Sequence, residues 1–172
     1  MKILLLVNEG NSGINFIYNK VCSLKGVNVK IISVKNRDLN FFGKTFSLIQ
    51  KLIIFTYSKN FSFLDLLRSL LPSKRLKVDN VNSIQVSTFI DNYNPDLLVI
   101  SGTKKVNIEI LKKVKIKINL HHGIVPFYRG VSSPSWVVYE KDFGNFGISI
   151  HEATEIIDGG KLLICEKLVP FK

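Results

Sequence analysis

Lys2-Ile3-Leu4-Leu5-Leu6-Val7, followed by Asn8-Glu9-Gly10-Asn11-Ser12-Gly13, opens the chain and decides its architecture. After Lys2 the first run is apolar without alternation, as a strand covered on both faces requires. The second run mixes glycine, asparagine and serine, which favour turns through backbone freedom and local hydrogen bonds. Ile14 to Ser23 then reads as a helix, and Val27-Asn28-Val29-Lys30-Ile31-Ile32-Ser33-Val34 as a second strand. Strand, glycine-containing loop, helix, strand is the crossover unit of an open α/β sheet.

The pattern resumes from residue 82. Val86, Phe89, Ile90 and Tyr93 recur at i, i+3, i+4 and i+7, which predicts a helix opened near Asn82 or Ser83 and broken at Asn94-Pro95-Asp96. Leu97-Leu98-Val99-Ile100 is another buried strand, ending in Ser101-Gly102-Thr103. A short helix is expected over 107–113, a strand from Ile116 to Leu120, and a helix starting in the segment Ser133 to Tyr139. Phe146 to His151 and Leu162 to Leu168 read as two closing strands. The expected fold is α/β: an open, mostly parallel Rossmann-like sheet with helices on both faces. Such sheets hold ligands beyond the carboxyl ends of their strands, here at Asn8–Gly13, Ser101–Lys104 and Asn119–Gly123.

Residues 36–78 are the least legible. Phe41, Phe42, Phe46, Leu48, Ile49 and Leu52 begin a dense apolar series that continues to Leu71, with lysines and serines between. Two helices covering one face of the sheet account for it; an apolar surface for a partner, a second copy or a membrane interface is the sharper alternative.

The chain has 172 residues, 46% hydrophobic and 22% charged, which is ordinary composition for one globular domain and excludes disorder. A single catalytic-type domain over 1–172 is expected. Cys22 and Cys165 are too few for a disulfide scaffold and form no metal-ligand spacing, so no metal is expected. The five apolar residues after Lys2 fall short of the roughly 7–15 of a signal peptide, and no run approaches the roughly 18 of a membrane span. A cytoplasmic location follows as the expectation. The net charge of +11 comes mostly from lysine, with 20 lysines against Arg37, Arg68, Arg75 and Arg129. It favours anionic partners in general. A nucleic-acid surface would cluster basic residues with aromatics, whereas the densest group, Lys112, Lys113, Lys115 and Lys117, reads as a solvated face. No specific nucleic-acid partner is expected.

Three polar residues stand at chemically useful places: Asn119 and His121 at a strand end, and Asp158 in a later loop. An imidazole beside a carboxylate is suited to acid–base work, and a carboxamide can donate to a developing oxyanion. The same residues also read without chemistry, as a satisfied histidine, a loop-capping asparagine and an ordinary Asp158-Gly159-Gly160 turn. Taken alone they support only polar catalysis at a strand end.

The text around them narrows this. Ile118-Asn119-Leu120-His121-His122-Gly123-Ile124-Val125-Pro126-Phe127-Tyr128-Arg129-Gly130 resembles the signature of folate-dependent formyltransferases, in which an Asn-x-His strand end precedes a Leu-Pro-like loop. Gly147-Ile148-Ser149-Ile150-His151 is similar to that family's Gly-x-Thr/Ser-x-His strand, and Asp158-Gly159-Gly160 to its Asp-x-Gly. The good match runs over roughly residues 80–168. The resemblance implies Asn119, His121 and Asp158 as the catalytic set and N10-formyltetrahydrofolate as formyl donor. It implies a pterin site between two loops, with Ser101, Gly102, Thr103, Lys104, Ile156 and Ile157 as contacts, and His151 as a supporting residue. Two departures are visible. Pro-Ser or Gly-Ser commonly follows the histidine in the family, where this chain has His122-Gly123; and relatives usually continue past the last strand, so a form lacking the carboxy-terminal extension is expected.

Tyr128-Arg129-Gly130 resembles the methionyl-tRNA and sugar N-formyltransferase branches, and Trp136 with Val131-Ser132-Ser133-Pro134-Ser135 fits the sugar branch best. The expected acceptor is therefore the amine of a nucleotide-linked amino sugar in surface-polysaccharide biosynthesis, met by Gly10, Asn11, His122 and Arg129. The alternatives are a phosphoribosylglycinamide formyltransferase of purine synthesis and a catalytically inactive binding relative.

Overall fold

Among the described residues, β1 (Lys2–Asn8) lies near the middle of a seven-stranded sheet because it is apolar on both sides. The computed structural model describes residues 1–9, 14–35 and 75–168. Within them follow α1 (Ile14–Cys22), β2 (Asn28–Val34), β3 (Leu76–Val78), α2 (Ile84–Tyr93) and β4 (Leu97–Ser101). The remainder is α3 (Ile108–Leu111), β5 (Ile116–His121), α4 (Ser133–Tyr139), a 3-10 turn at Phe143–Asn145, β6 (Gly147–Glu152) and β7 (Leu162–Lys167). The strand order is β3-β2-β1-β4-β5-β6-β7. The first five of these strands pair in parallel, and β6 and β7 are antiparallel to their neighbours.

Successive side chains of a strand point to opposite faces, and β1 divides accordingly. Leu4 and Leu6 pack with Val86 and Ile90 of α2 and Ile110 and Leu111 of α3. Ile3, Leu5 and Val7 pack with Ile14 of α1, flanked by Tyr18 and Val21. Each fully buried aliphatic side chain contributes about 1.5–3 kcal/mol of gross burial energy, so reversing the register of β1 would gain nothing: both faces are already core. What fixes its place is the demand for helices on both sides.

α2 begins where its cap permits. Ser83 is extended, and its Oγ accepts the Val86 N–H at 3.4 Å. At the other end Asn94 is left-handed, its N–H bonded to the Ile90 carbonyl, and Pro95 cannot continue the helix. Asp96 Oδ2 then accepts the Lys2 N–H at 2.6 Å, which ties the start of β4 to the start of β1.

Two differences from the sequence reading have physical causes. α3 is shorter than the expected 107–113, because the chain must turn at Lys112 and Lys113 to enter β5. Leu76–Val78 is an edge strand inside the stretch expected to be helical; at three residues it is too short to show a period. The two closing strands turn the far side of the sheet antiparallel. β7 is the outer edge and exposes Leu162, Leu163 and Ile164. The apolar region 41–71, Gly10 and Asn11 lie outside the described residues. Among the described residues no helix is long and apolar enough to cross a membrane.

Candidate active site

β4 and β5 run parallel, with Ser101 beside Leu120, so their carboxyl ends reach the same edge of the sheet. Asn119 and His121 are two apart on β5 and therefore share a face. β6 returns antiparallel and sets His151 opposite Asn119 and Ser149 opposite His121. Beyond β6 the chain folds back over that face, and the turn Ile156–Gly159 delivers Asp158 onto it.

Asp158 is the centre of the cluster. Its side chain is 7% exposed, and its φ of +47° is a left-handed value that aspartate tolerates better than most residues. A Cβ at Gly160 would collide with the Glu152 carbonyl, so the turn needs glycine there to lie this close to β6. Oδ1 accepts the Asn119 Nδ2–H at 2.8 Å, and Oδ2 accepts the Gly130 N–H at 2.7 Å. His121 Nδ1 lies 3.4 Å from Oδ2, and His151 Nε2 lies 3.3 Å from Oδ1. One carboxylate thus joins a strand, its antiparallel neighbour and the loop after β5.

The protons on the two imidazoles follow from their partners. His121 Nε2 sits 2.8 Å from the Tyr128 carbonyl, which can only accept, so Nε2 carries the hydrogen. Ser133 Oγ, 3.2 Å from the same nitrogen, donates to the Gly130 carbonyl and so receives from Nε2. His151 Nδ1 faces the Glu152 carbonyl at 2.8 Å and carries its hydrogen there. Its Nε2 can then take the second Asn119 Nδ2 hydrogen at 3.2 Å.

The loop that pins His121 is itself braced. Ser149 Oγ donates to the Gly123 carbonyl at 2.7 Å and accepts the Val125 N–H at 3.2 Å. The Val125–Pro126 peptide is cis. The Tyr128 hydroxyl lies 2.8 Å from Glu140 and 2.9 Å from Asp142, with one proton to share between two carboxylates. Burial first, then these two partners, push the tyrosine above its ordinary range. Asn145 and Tyr128, both donating, hold Asp142 below the ordinary carboxylate value. Gly123 is needed for close approach: a Cβ there would lie 2.7 Å from His121 Nε2 and from the Tyr128 carbonyl.

This cluster forms the floor of a cavity of about 680 Å³. Gly102, Thr103, Lys104, Lys105 and Val106 form one wall, Thr154, Ile156 and Ile157 another, and His122 and Gly130–Pro134 also border it. The structure therefore brings together Asn119, His121 and Asp158, and gathers Gly102, Thr103, Lys104, Ile156, Ile157 and His122 around the same space. It does not bring in two expected contacts. Ser101 is 1% exposed and packed beneath the wall, because the last residue of a central strand still belongs to the core. Arg129 is exposed and is not among the residues lining the cavity; the left-handed Gly130 beside it turns the chain so that Gly130 and Val131 line it instead.

Sequence reasoning missed the Gly130 N–H, the Tyr128 carbonyl and Ser133 as polar partners. The first two are backbone groups and leave no residue-type signal beyond the glycine itself. Among the described residues, no group of three or more His, Cys, Asp or Glu is placed to hold a metal ion.

Residues 1–170 match the formyl transferase family, and the chain belongs to it. It is 29% identical over 91 residues to a GDP-perosamine N-formyltransferase of Brucella melitensis biotype 1, covering 51% of this chain and 34% of that protein. It is 31% identical over 86 residues to the bifunctional polymyxin resistance protein ArnA of Wigglesworthia glossinidia brevipalpis, covering 49% of this chain and 13% of that protein. The chain thus matches about a third or less of the length of these curated relatives. Among solved structures, a sugar N-formyltransferase from Shewanella sp FDAARGOS_354 superposes with a TM-score of 0.65 at 19% identity, over 99% of this chain and 58% of that one. A phosphoribosylglycinamide formyltransferase from Anaplasma phagocytophilum gives 0.66 at 14% identity, over 99% and 73%. At those identities the likeness carries the fold.

Proposed function

We propose that this protein transfers a formyl group from N10-formyltetrahydrofolate to the amine of a nucleotide-linked amino sugar, a step suited to surface-polysaccharide biosynthesis in the cytoplasm. The observation that carries the reading is the convergence of the Asn119 carboxamide, His121 and Asp158 on one cavity floor, at distances of 2.8 Å and 3.4 Å from the shared carboxylate. About 680 Å³ is within the usual range for a small-molecule site. Ile156, Ile157 and Val106 suit a flat heteroaromatic ring, and Lys104 suits a donor that carries carboxylates.

In this reading the neutral amine attacks the formyl carbon and a tetrahedral oxyanion develops. Asn119 and His121 stabilise it, Asn119 by releasing its longer contact to His151 and His121 by turning its Nε2–H from the Tyr128 carbonyl and Ser133 to the oxyanion. Asp158 orients both and passes a proton, directly or through water, to the departing nitrogen N10. His151, paired with Asn119 across the strands, fixes the carboxamide. His122 borders the acceptor side; Gly10, Asn11 and Arg129 are further candidate contacts for the anionic nucleotide. The sugar reading is supported by the names of the relatives. Phosphoribosylglycinamide is the second acceptor to test, because structures of that activity superpose equally well.

The experiment is tetrahydrofolate release from N10-formyltetrahydrofolate with a panel of nucleotide-linked amino sugars and phosphoribosylglycinamide. Turnover with one acceptor, abolished in Asn119→Ala and His121→Ala, is the expected result. Folate binding without any turnover would replace the proposal with a binding protein.

A further inference from the structure

The chain has three histidines, and two of them are committed. His121 gives Nε2–H to Tyr128 and Ser133 and turns Nδ1 to Asp158. His151 gives Nδ1–H to Glu152 and holds Asn119 with Nε2. His122 differs. It is exposed where the chain leaves β5, borders the cavity, and has no hydrogen-bond partner among the described residues. Its flank lies against the cavity wall, and this partial burial, then the neighbouring His121, keep it below the ordinary histidine value. Lys104, Lys105, His151 and Asp158 line the same cavity, but the charge that adds to the effect is that of His121.

The residue after it completes the picture. Gly123 has no Cβ, and only for that reason can Tyr128 bring its carbonyl to 2.8 Å from His121 Nε2. The glycine therefore permits the bond that holds His121, and the adjacent position carries an imidazole with no hydrogen-bond partner among the described residues.

We propose that His122 is the general base that takes a proton from the acceptor amine, leaving His121 and Asp158 to handle the oxyanion and N10. The inference rests on the formyl-transfer reading and assigns one step within it. The acceptor arrives as an ammonium ion, since ordinary alkyl amines are protonated at neutral pH. Its first proton passes to a ring nitrogen of His122 and from there to water. The free amine forms the new N–C bond to the formyl carbon, and the bond from that carbon to N10 breaks. The second amine proton reaches N10, and the third remains on the formamide nitrogen. One proton is released per turnover, and no redox partner is required.

The test measures tetrahydrofolate release across pH 6 to 9.5 for the wild type, His122→Gln and His122→Ala, with GDP-perosamine and the other nucleotide-linked amino sugars as acceptors and folate affinity measured in parallel. A base of this kind is worth about 10²–10⁴-fold. The expected result is a loss of about 100-fold in kcat/KM for the acceptor at pH 7, with folate affinity unchanged. Below the amine's own pKa the variants' rate should rise roughly tenfold per pH unit with the fraction of free amine, levelling off above it, and added imidazole should rescue His122→Ala. Variants within threefold of wild type overturn the inference and leave the formyl-transfer reading standing. So does a slow variant that keeps the wild-type pH profile and ignores imidazole, since His122 would then only touch the sugar. A wild type that turns over none of the acceptors removes the reading itself, and the inference with it.

Discussion

Asp158→Asn is the substitution that tests most of the site at once. Asparagine tolerates the left-handed backbone as aspartate does, so the change leaves φ at +47° without new strain and isolates the carboxylate. The native group accepts two N–H bonds, from Asn119 and Gly130. A carboxamide offers one oxygen and one NH₂, so one of those donors must face another donor. Hydrogen bonds to a charged group contribute about 1.5–3 kcal/mol, and a buried donor left unmatched costs a similar amount. A destabilisation of about 2–3 kcal/mol is expected, which for a chain of this size lowers the thermal midpoint by roughly 4–12 °C. Formyl transfer should fall by about 10²–10⁴-fold, since the proton path to N10 is lost with the charge. The assays are thermal unfolding by circular dichroism and tetrahydrofolate release on the same preparation. A variant that unfolds within 1 °C of wild type would refute the central position given to Asp158. One that loses stability but keeps full turnover would refute its chemical role alone.

Leu4→Ala should cost about 2–5 kcal/mol, because Leu4 is fully buried on the α2 side of β1 and the cavity left behind cannot collapse; urea unfolding measures it. Gly160→Ala should lower both stability and turnover, as the new Cβ meets the Glu152 carbonyl and displaces the turn that carries Asp158; a variant with wild-type activity would show that the turn moves freely. Asp142 is held below its ordinary value by Asn145 and then Tyr128, so its contribution is present above the unfolded value of about 4 and is lost as pH falls through the lower folded value. Asp142→Asn should therefore flatten the loss of stability on the acid side of about pH 4, measured by denaturant midpoints; an unchanged slope would remove Asp142 from the acid response.

The strands that were easiest to read are those with the least choice. β1 is a continuous apolar run and β4 nearly so, while β2 buries Val29, Ile31, Ile32 and Val34 around Lys30 and Ser33; residues of this kind on both faces of a strand can only be buried between two layers of helix. Ser83 and Asn94 mark the ends of α2 because caps are local chemistry, decided within four residues. β3 escaped because three residues show no period, and α3 was overestimated because its end is set by where β5 must start. At the site, the Asn-x-His spacing placed two side chains on one face by geometry alone. Arg129 does not line the cavity although Gly130 and Val131 beside it do, and which neighbour faces the cavity is set by the left-handed turn at Gly130, which residue type alone does not show.

By itself the sequence determined the order of the longer strands and helices, the two-faced core and the identity of the polar residues able to do chemistry, all of which rest on local period and residue type. The tertiary structure decided which of those residues meet. Asn119 and Asp158 are 39 positions apart and come within hydrogen-bonding distance because β6 pairs antiparallel and the following turn folds back. The hydrogen on His121 Nε2 is fixed by a backbone carbonyl that no residue type announces. Whether a histidine at this strand end is held depends on contacts made far along the chain, and that is why His121 and His122, adjacent and chemically identical, differ in their partners among the described residues.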